Sequence, residues 1–438
     1  MSFASLTFLY LFLPGSVLLY ALTPKKGKNI TLALLSAAFY LLAQPENFWL
    51  FAGTIVLQFA LSEWLSRSED KKLRRRIRNI AVLENAAVLL CFSLSSQLFR
   101  TEIPVGVMVV SFTAIGYFVD VEKGDDEPIR SFPDFAVFLG FFGKLWRGPL
   151  SRLSDSLPTE TGISVEKIGE GIFLFLCGLA KYVLLARPLG ILHEELVQEN
   201  LSESSVVGAW VSVISLGMEL FYDLSGFCDM ARGLGFCFGL ELPKNFYYPF
   251  QSPSVTDFLD RFNMTVTAFF RHYVYDSLRT RKDSFLQFCT DTLLIAMLCG
   301  IWFGIRMNFV LWGIYIGFFM ILEEVFLGKL LRRIPKIFAR VYTFCITMFS
   351  MTFFTTGNEP AIWETLKAMF GFGASSMTEA VSYVLSKNAL VLIGGFFFLT
   401  STLSMGVRAL YKKSAVLYNI FAAVSSVILL VLITGELL

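Results

Sequence analysis

The sequence predicts an all-helical, polytopic membrane protein, and three observations support this. Of 438 residues, 55% are hydrophobic and 16% charged, whereas soluble domains carry about a quarter charged residues; mean hydropathy is +0.63. Apolar runs long enough to cross a hydrocarbon core recur along the whole chain. Basic residues gather in alternate loops between those runs. A soluble globular enzyme is excluded, and a net charge of +2 gives no electrostatic footprint for nucleic acid, so no nucleic-acid partner is expected.

In order, the runs fall near residues 3–22, 30–44, 48–65, 79–99, 103–119, 168–190, 206–222, 286–304, 308–326, 340–356, 389–407 and 416–438, about twelve spans. The first has no basic stretch before it and is expected to stay as a span rather than be cleaved as a signal. Lys25, Lys26 and Lys28; Arg67, Lys71, Lys72, Arg74, Arg75, Arg76 and Arg78; Arg279, Arg281 and Lys282; Lys329, Arg332, Arg333 and Lys336; and Lys412 and Lys413 all fall in loops of one parity. That side is read as cytoplasmic, which puts both termini outside, along with the acidic loop of Glu194, Glu195, Glu199 and Glu203 next to His193. The count holds only if residues 132–150 enter and leave on one face, as a re-entrant segment or an interfacial helix. The expectation is one integral membrane domain over 1–438, with spans in 1–100, a core in 101–356, and an outer loop and the last two spans in 357–438.

Seven cysteines without a Cys-x-x-Cys pair read as small hydrophobes, and two histidines leave almost no ligands for a metal site; none is expected. No internal repeat is present. Ser254-Val255-Thr256-Asp257 has the pattern of a helix start. Phe258, Phe262, Val266, Phe269, Phe270 and Tyr273 then recur at helical spacing, with Asp260, Arg261, Asn263 and Arg271 off that face. One amphipathic helix lying in the interface is the plain reading. Asp223 and Asp229 stand six residues apart at the end of a span, and Glu84 and Glu219 lie in or near spans, where carboxylates need partners. Gly300 and Gly304, four apart in an apolar run, fit close helix packing.

The order of segments resembles the membrane-bound O-acyltransferase (MBOAT) family, in the branch of the alginate O-acetyltransferase AlgI and the D-alanyl transfer protein DltB. The resemblance rests on Pro104-Val105-Gly106, Tyr117 to Val121, Gly148-Pro149-Leu150 with Arg152, Asp223-Leu224-Ser225-Gly226 with Asp229-Met230-Ala231, Leu242 to Phe246, Ser254 to Phe258, Arg271 with Tyr273 and Tyr275, Trp302 with Gly304, and Asn308 to Gly313. It implies a helical bundle pierced by a tunnel, a cytoplasmic acyl-CoA or acyl-carrier-protein thioester as donor, no tightly bound cofactor, and an extracytoplasmic glycan or secreted acetyltransferase as acceptor or partner. Matching positions imply that Asp223, Asn245, Arg261, Arg271 and Trp302 line the tunnel. Lys144, Arg147 and Arg152 would attract donor phosphates.

Two positions depart from the family pattern. Its Trp-His-Gly motif reads Trp302-Phe303-Gly304 here, and the histidine of its Arg-Arg-Trp-His run is Asn263. General-base help is worth about 10² to 10⁴ in rate, and Phe303 cannot accept a proton. His272 lies nine residues from Asn263, about 900° of rotation on one straight helix and so on the opposite face; Asp229 is the other candidate base. Asn263 would instead orient a carbonyl or acceptor through its amide. Three readings follow: an acyltransferase passing an acyl group, acetyl by resemblance, to a surface glycan; an inactive family member serving as a scaffold; and, more weakly, a lipid or solute transporter.

Overall fold

Every regular element among the described residues is a helix; the nearest thing to a strand is one isolated backbone bridge between Ser205 and Ser375. The structure is a computed structural model and describes residues 1–99, 102–153, 164–275, 284–355 and 359–438. Arg279, Arg281 and Lys282 of the basic loops lie outside the described residues.

Helices α1 (Phe8–Leu22), α2 (Lys28–Ala43), α3 (Pro45–Arg67), α4 (Lys71–Phe99) and α5 (Val107–Lys123) open the chain. Two short helices follow, α6 (Phe132–Gly140) and the single turn α7 (Phe142–Leu145). Then come α8 (Val165–Gln198), α9 (Val206–Cys237), the seven-residue helices α10 (Val255–Arg261) and α11 (Met264–Phe270), and α12 (Phe285–Ile301). The remainder is α13 (Met307–Arg333), α14 (Lys336–Phe354), α15 (Glu359–Met369), α16 (Glu379–Lys387), α17 (Ala389–Phe398), α18 (Thr402–Lys413) and α19 (Ala415–Leu437).

Seven of these, α3, α4, α8, α9, α13, α14 and α19, are long and apolar enough to cross a membrane, and α16 with α17, bent by 62°, makes eight if the pair is one span. The difference from about twelve comes from length. α2, α5 and α12 hold 16, 17 and 17 residues, short of the roughly twenty that a full crossing takes. α1 is likewise a shorter apolar helix, and the run at 389–407 is divided between α17 and α18. Hydropathy sees only the apolar run, whereas the helix ends are set by turns inside it.

The chain forms two compact units, the first from residues 1–179, 226–244 and 422–438, the second from 180–225 and 245–421. In the first unit the core gathers aromatic rings from α2, α3, α5 and α6: Tyr40 stacks on Phe51 at 4.0 Å, and Tyr117 packs against Phe135 and Phe138. Arg74 of α4 ties the layer together, donating to the carbonyls of Leu65 (3.1 Å) and Val121 (2.8 Å). Gly178 lets α8 approach α9, since a Cβ there would meet the Gly226 carbonyl at 2.5 Å. The Tyr10 hydroxyl bonds Thr434 of α19 at 2.7 Å, across 424 positions of sequence. Residues 132–150 do not lie flat on a surface: α6 and α7, separated by a break at Phe141, bury Phe135, Phe138, Leu139, Phe142 and Leu145 completely in this unit.

In the second unit α12 and α13 pack backbone to backbone, because a Cβ on Gly300 would meet the Phe309 carbonyl at 2.1 Å and one on Gly313 the Ala296 carbonyl at 2.5 Å. Trp312 on α13 donates its indole N–H to the Ser350 hydroxyl of α14 at 3.0 Å. The acidic end of α8 meets α16, where Lys387 pairs with Glu195 at 3.0 Å, and His193 Nδ1 lies 2.9 Å from the Ser212 hydroxyl.

Candidate functional site: a broken helix pinned by two asparagines

Ser254 caps α10 as its pattern predicts, its hydroxyl accepting from the Asp257 amide at 3.1 Å. The helix does not run on to Tyr273 as the periodicity implies. Phe262 is extended, Asn263 adopts the left-handed conformation (φ 54°, ψ 50°), and α11 starts at Met264. A left-handed non-glycine residue is costly, and asparagine tolerates it best. The cost is met from outside the helices: the Asn245 carbonyl accepts from the Met264 amide at 2.8 Å, and the Tyr247 amide donates to the Arg261 carbonyl at 3.0 Å. An ion pair closes over the break, Arg271 to Asp260 at 2.6 Å.

The two asparagine side chains are orientated without ambiguity. Asn245 Oδ1 accepts from the Thr265 backbone N–H and hydroxyl, each at 2.9 Å. Because a backbone N–H can only donate, Asn245 must turn its Nδ2 the other way, and it donates to Asn263 Oδ1 at 2.8 Å. Asn263, 7% exposed, has therefore committed its oxygen, and its Nδ2 has no hydrogen-bond partner among the described residues. This position presents N–H donors. It is no base, and what it can do is polarise a carbonyl.

Glu323 fixes the other end of α10. Its buried carboxylate accepts from the Val255 amide (2.7 Å), the Thr256 amide (3.1 Å) and the Thr256 hydroxyl (3.1 Å), pinning the first turn of the helix whose last turn delivers Asn263. Sequence reasoning missed it. The available signal was a glutamate inside the apolar run 308–326, where an ionisable side chain needs a purpose.

Of the residues expected to line a tunnel, Asn245 and Arg261 come together with Asn263, which was expected in a catalytic role, and Arg271 pairs with Asp260 over the same break. Arg261 forks onto Asp257 at 2.9 Å and lies over the Tyr247 ring at 5.7 Å. Asp223 is buried in α9 of the same unit. Trp302, Phe303 and Gly304 lie past the end of α12 rather than within it: Gly304 closes the helix at φ +147°, a conformation that favours glycine, and only Gly300 serves the helix contact. Phe303, where the family histidine would stand, sits among the rings of Phe354 (5.0 Å), Trp312 (5.9 Å) and Phe309 (6.2 Å). Between α11 and α12, the Thr267 hydroxyl lies 3.8 Å from Cys299 Sγ. His272 belongs to a π-helical turn beyond α11 and packs edge-on against Tyr273; with the helix broken, the straight-helix rotation no longer describes its position relative to Asn263.

The remaining expected residues belong to the first unit. Asp229 pairs with Arg232 at 3.7 Å on α9. Lys144 is not at a surface where it would meet phosphate. It is wholly buried, donating to the Phe138 carbonyl and to Ser151 at 3.2 Å, and burial pushes its ammonium down to about 7. Arg147 is exposed and lies over the Phe227 ring at 5.8 Å. Arg152, about half exposed, pairs with the buried Asp120 at 3.1 Å.

The chain is a polytopic helical membrane protein that holds a buried asparagine amide at the break between α10 and α11. The chain belongs to the membrane-bound O-acyltransferase family, whose profile matches residues 127–362, more than half its length. Among proteins it is similar to are the probable alginate O-acetylase AlgI of Pseudomonas aeruginosa, 28% identical over 86% of this chain and 76% of that protein, and the peptidoglycan O-acetyltransferase of Helicobacter pylori, 24% identical over 94% and 89%. The teichoic acid D-alanyltransferase of Bacillus subtilis is 22% identical over 48% of this chain and 56% of its own.

Proposed function

We propose that this protein transfers an acyl group, acetyl in the first instance, from a cytoplasmic thioester of coenzyme A or a carrier protein to an extracytoplasmic polysaccharide or to a partner transferase acting on one. The whole-length similarity to two O-acetyl-transferring relatives supports the acetyl group and the polysaccharide. The fuller architecture belongs to the same proposal: about twelve crossings, some by short or bent helices, around a tunnel, with both termini outside.

The observation that carries the reading is the Asn245–Asn263 pair. With its oxygen held by Asn245, Asn263 offers amide N–H groups to the thioester carbonyl and stabilises the charge that develops there as the acceptor hydroxyl attacks. The hydroxyl proton has no histidine to take it at either motif position, and transfer is slowed by about 10² to 10⁴ relative to a member with its base. Asp223 and His272, both in this unit, are the candidates to take it.

A second reading is favoured by the aromatic surroundings of Phe303: a catalytically inactive member retained as a membrane scaffold for polysaccharide modification. The two separate in vesicles charged with labelled acetyl-CoA or acetyl-carrier protein and surface glycan, comparing the native protein with Asn263→Ala, His272→Ala and Phe303→His. Native transfer lost in Asn263→Ala establishes the enzyme. No native transfer, with some gained in Phe303→His, establishes the scaffold.

A further inference from the structure

Helices α3, α4 and α5 hold a polar layer that acyl transfer does not use, ahead of residues 127–362 that match the family. Gln58 of α3 is fully buried and donates Nε2 to Glu84 Oε2 of α4 at 2.6 Å. Gln58 Oε1 is buried and has no partner among the described residues. The same is true of Asn85 Oδ1, whose own amide turns back to the Ala81 carbonyl at 2.8 Å, and of Thr113 Oγ1 on α5.

Contacts one turn away fix the register. The Ser62 hydroxyl of α3 and the Tyr117 hydroxyl of α5 lie 2.6 Å apart, and Arg74 joins the carbonyls of Leu65 and Val121. One turn back from Ser62 is Gln58, and one turn back from Tyr117 is Thr113. The Gln58–Glu84 bond brings α4 to the same level, with Asn85 the next residue. Four oxygen-bearing side chains thus share one level of three helices, two of which are long and apolar enough to span a membrane.

The Gln58 and Asn85 amide oxygens can only accept, and the Thr113 hydroxyl can accept as well as donate. One water together with the Thr113 hydroxyl supplies three hydrogens, enough for the two amide oxygens and the second oxygen of Glu84, but it leaves the carboxylate charge unbalanced. A cation takes lone pairs from all four side chains and balances that charge. Neutral amide and hydroxyl oxygens with a carboxylate suit a hard ion, and the single carboxylate within a spanning helix is balanced by one positive charge. We propose that Gln58, Glu84, Asn85 and Thr113 bind a sodium ion inside the first unit and hold α3, α4 and α5 together through it.

The test uses the full chain in detergent at constant ionic strength, melted in sodium, potassium or choline chloride, with equilibrium binding of radioactive sodium measured alongside. The expected result is a melting temperature higher by roughly 3–5 °C in sodium, saturating with concentration, with one ion bound per chain. Both effects should be lost in Glu84→Gln and weakened in Thr113→Val. Native binding of sodium tests the site even if Glu84→Gln fails to fold. Equal melting in all three salts with no sodium bound overturns the proposal, as does a sodium shift that survives in a folded Glu84→Gln. Stability that follows pH and ignores sodium also overturns it and assigns the layer to a proton.

Discussion

Asn245 and Asn263, eighteen residues apart, are joined by a side-chain hydrogen bond of 2.8 Å whose direction is dictated by a third group, the Thr265 backbone N–H on Asn245 Oδ1. A backbone donor thereby decides which end of the Asn263 amide is left unengaged among the described residues. The relay makes the orientation of position 263 depend on a residue in another segment of the chain.

Asn263→Asp separates geometry from chemistry. Aspartate tolerates the left-handed backbone and can accept from Asn245, so the variant is expected to fold with a melting temperature within a few degrees of native. It has no N–H to offer, and acetyl transfer is expected to fall by about 10² or more. Transfer at the native rate by Asn263→Asp would remove the amide from the mechanism.

Asn263→Gly makes the complementary case. Glycine adopts φ 54° freely, which should offset much of the lost hydrogen bond to Asn245. Stability within about 1 kcal/mol of native is expected, without transfer. Asn263→Ala keeps the backbone strain, and denaturant titration should show it to be the less stable of the two.

Glu323→Ala leaves two backbone amides and a hydroxyl at the start of α10 without their shared acceptor. A loss of about 3 kcal/mol is expected, with Glu323→Gln recovering part of it. Hydrogen exchange at Val255 and Thr256 reports the site directly: unchanged protection there in Glu323→Ala would show that the carboxylate does not hold the turn.

Lys144 makes stability depend on pH. Its folded value of about 7 lies below the unfolded value, ordinarily near 10. Between these the unfolded chain binds a proton that the folded chain does not, so stability rises with pH from about 7 to about 10. Lys144→Met removes the difference, and it should raise the melting temperature more at pH 6.5 than at pH 9.5. An equal gain at both would mean that the buried amine does not titrate in this window.

The membrane class and helical makeup were legible in the sequence because a bilayer demands long apolar runs; the number of full spans was not, because shorter apolar helices imitate them. The break at Asn263 was not. Phe258, Phe262, Val266 and Phe270 keep helical spacing straight across it and are all buried, so the pattern carries no trace of an interruption caused by residues 245–247. Lys144 was read as a cation that would attract donor phosphates because a sequence shows charge and not depth; its partners are a main-chain carbonyl and a serine, which no charge pattern reveals. The cap at Ser254, by contrast, depends on three consecutive residues and was legible in full.

The hydrogen bond between Tyr10 and Thr434 joins the first helix of the chain to the last. The first unit draws on residues 1–179 but also on 422–438, so it cannot be completed while the ribosome is still synthesising the second. Its early helices must wait in the bilayer with one seam open, in reach of insertion chaperones, until the final helix arrives. Since α19 buries only Ile433 fully and leaves the rest of its packed face half-buried, that last closure is held by little, and it is where extraction into detergent should first undo the protein.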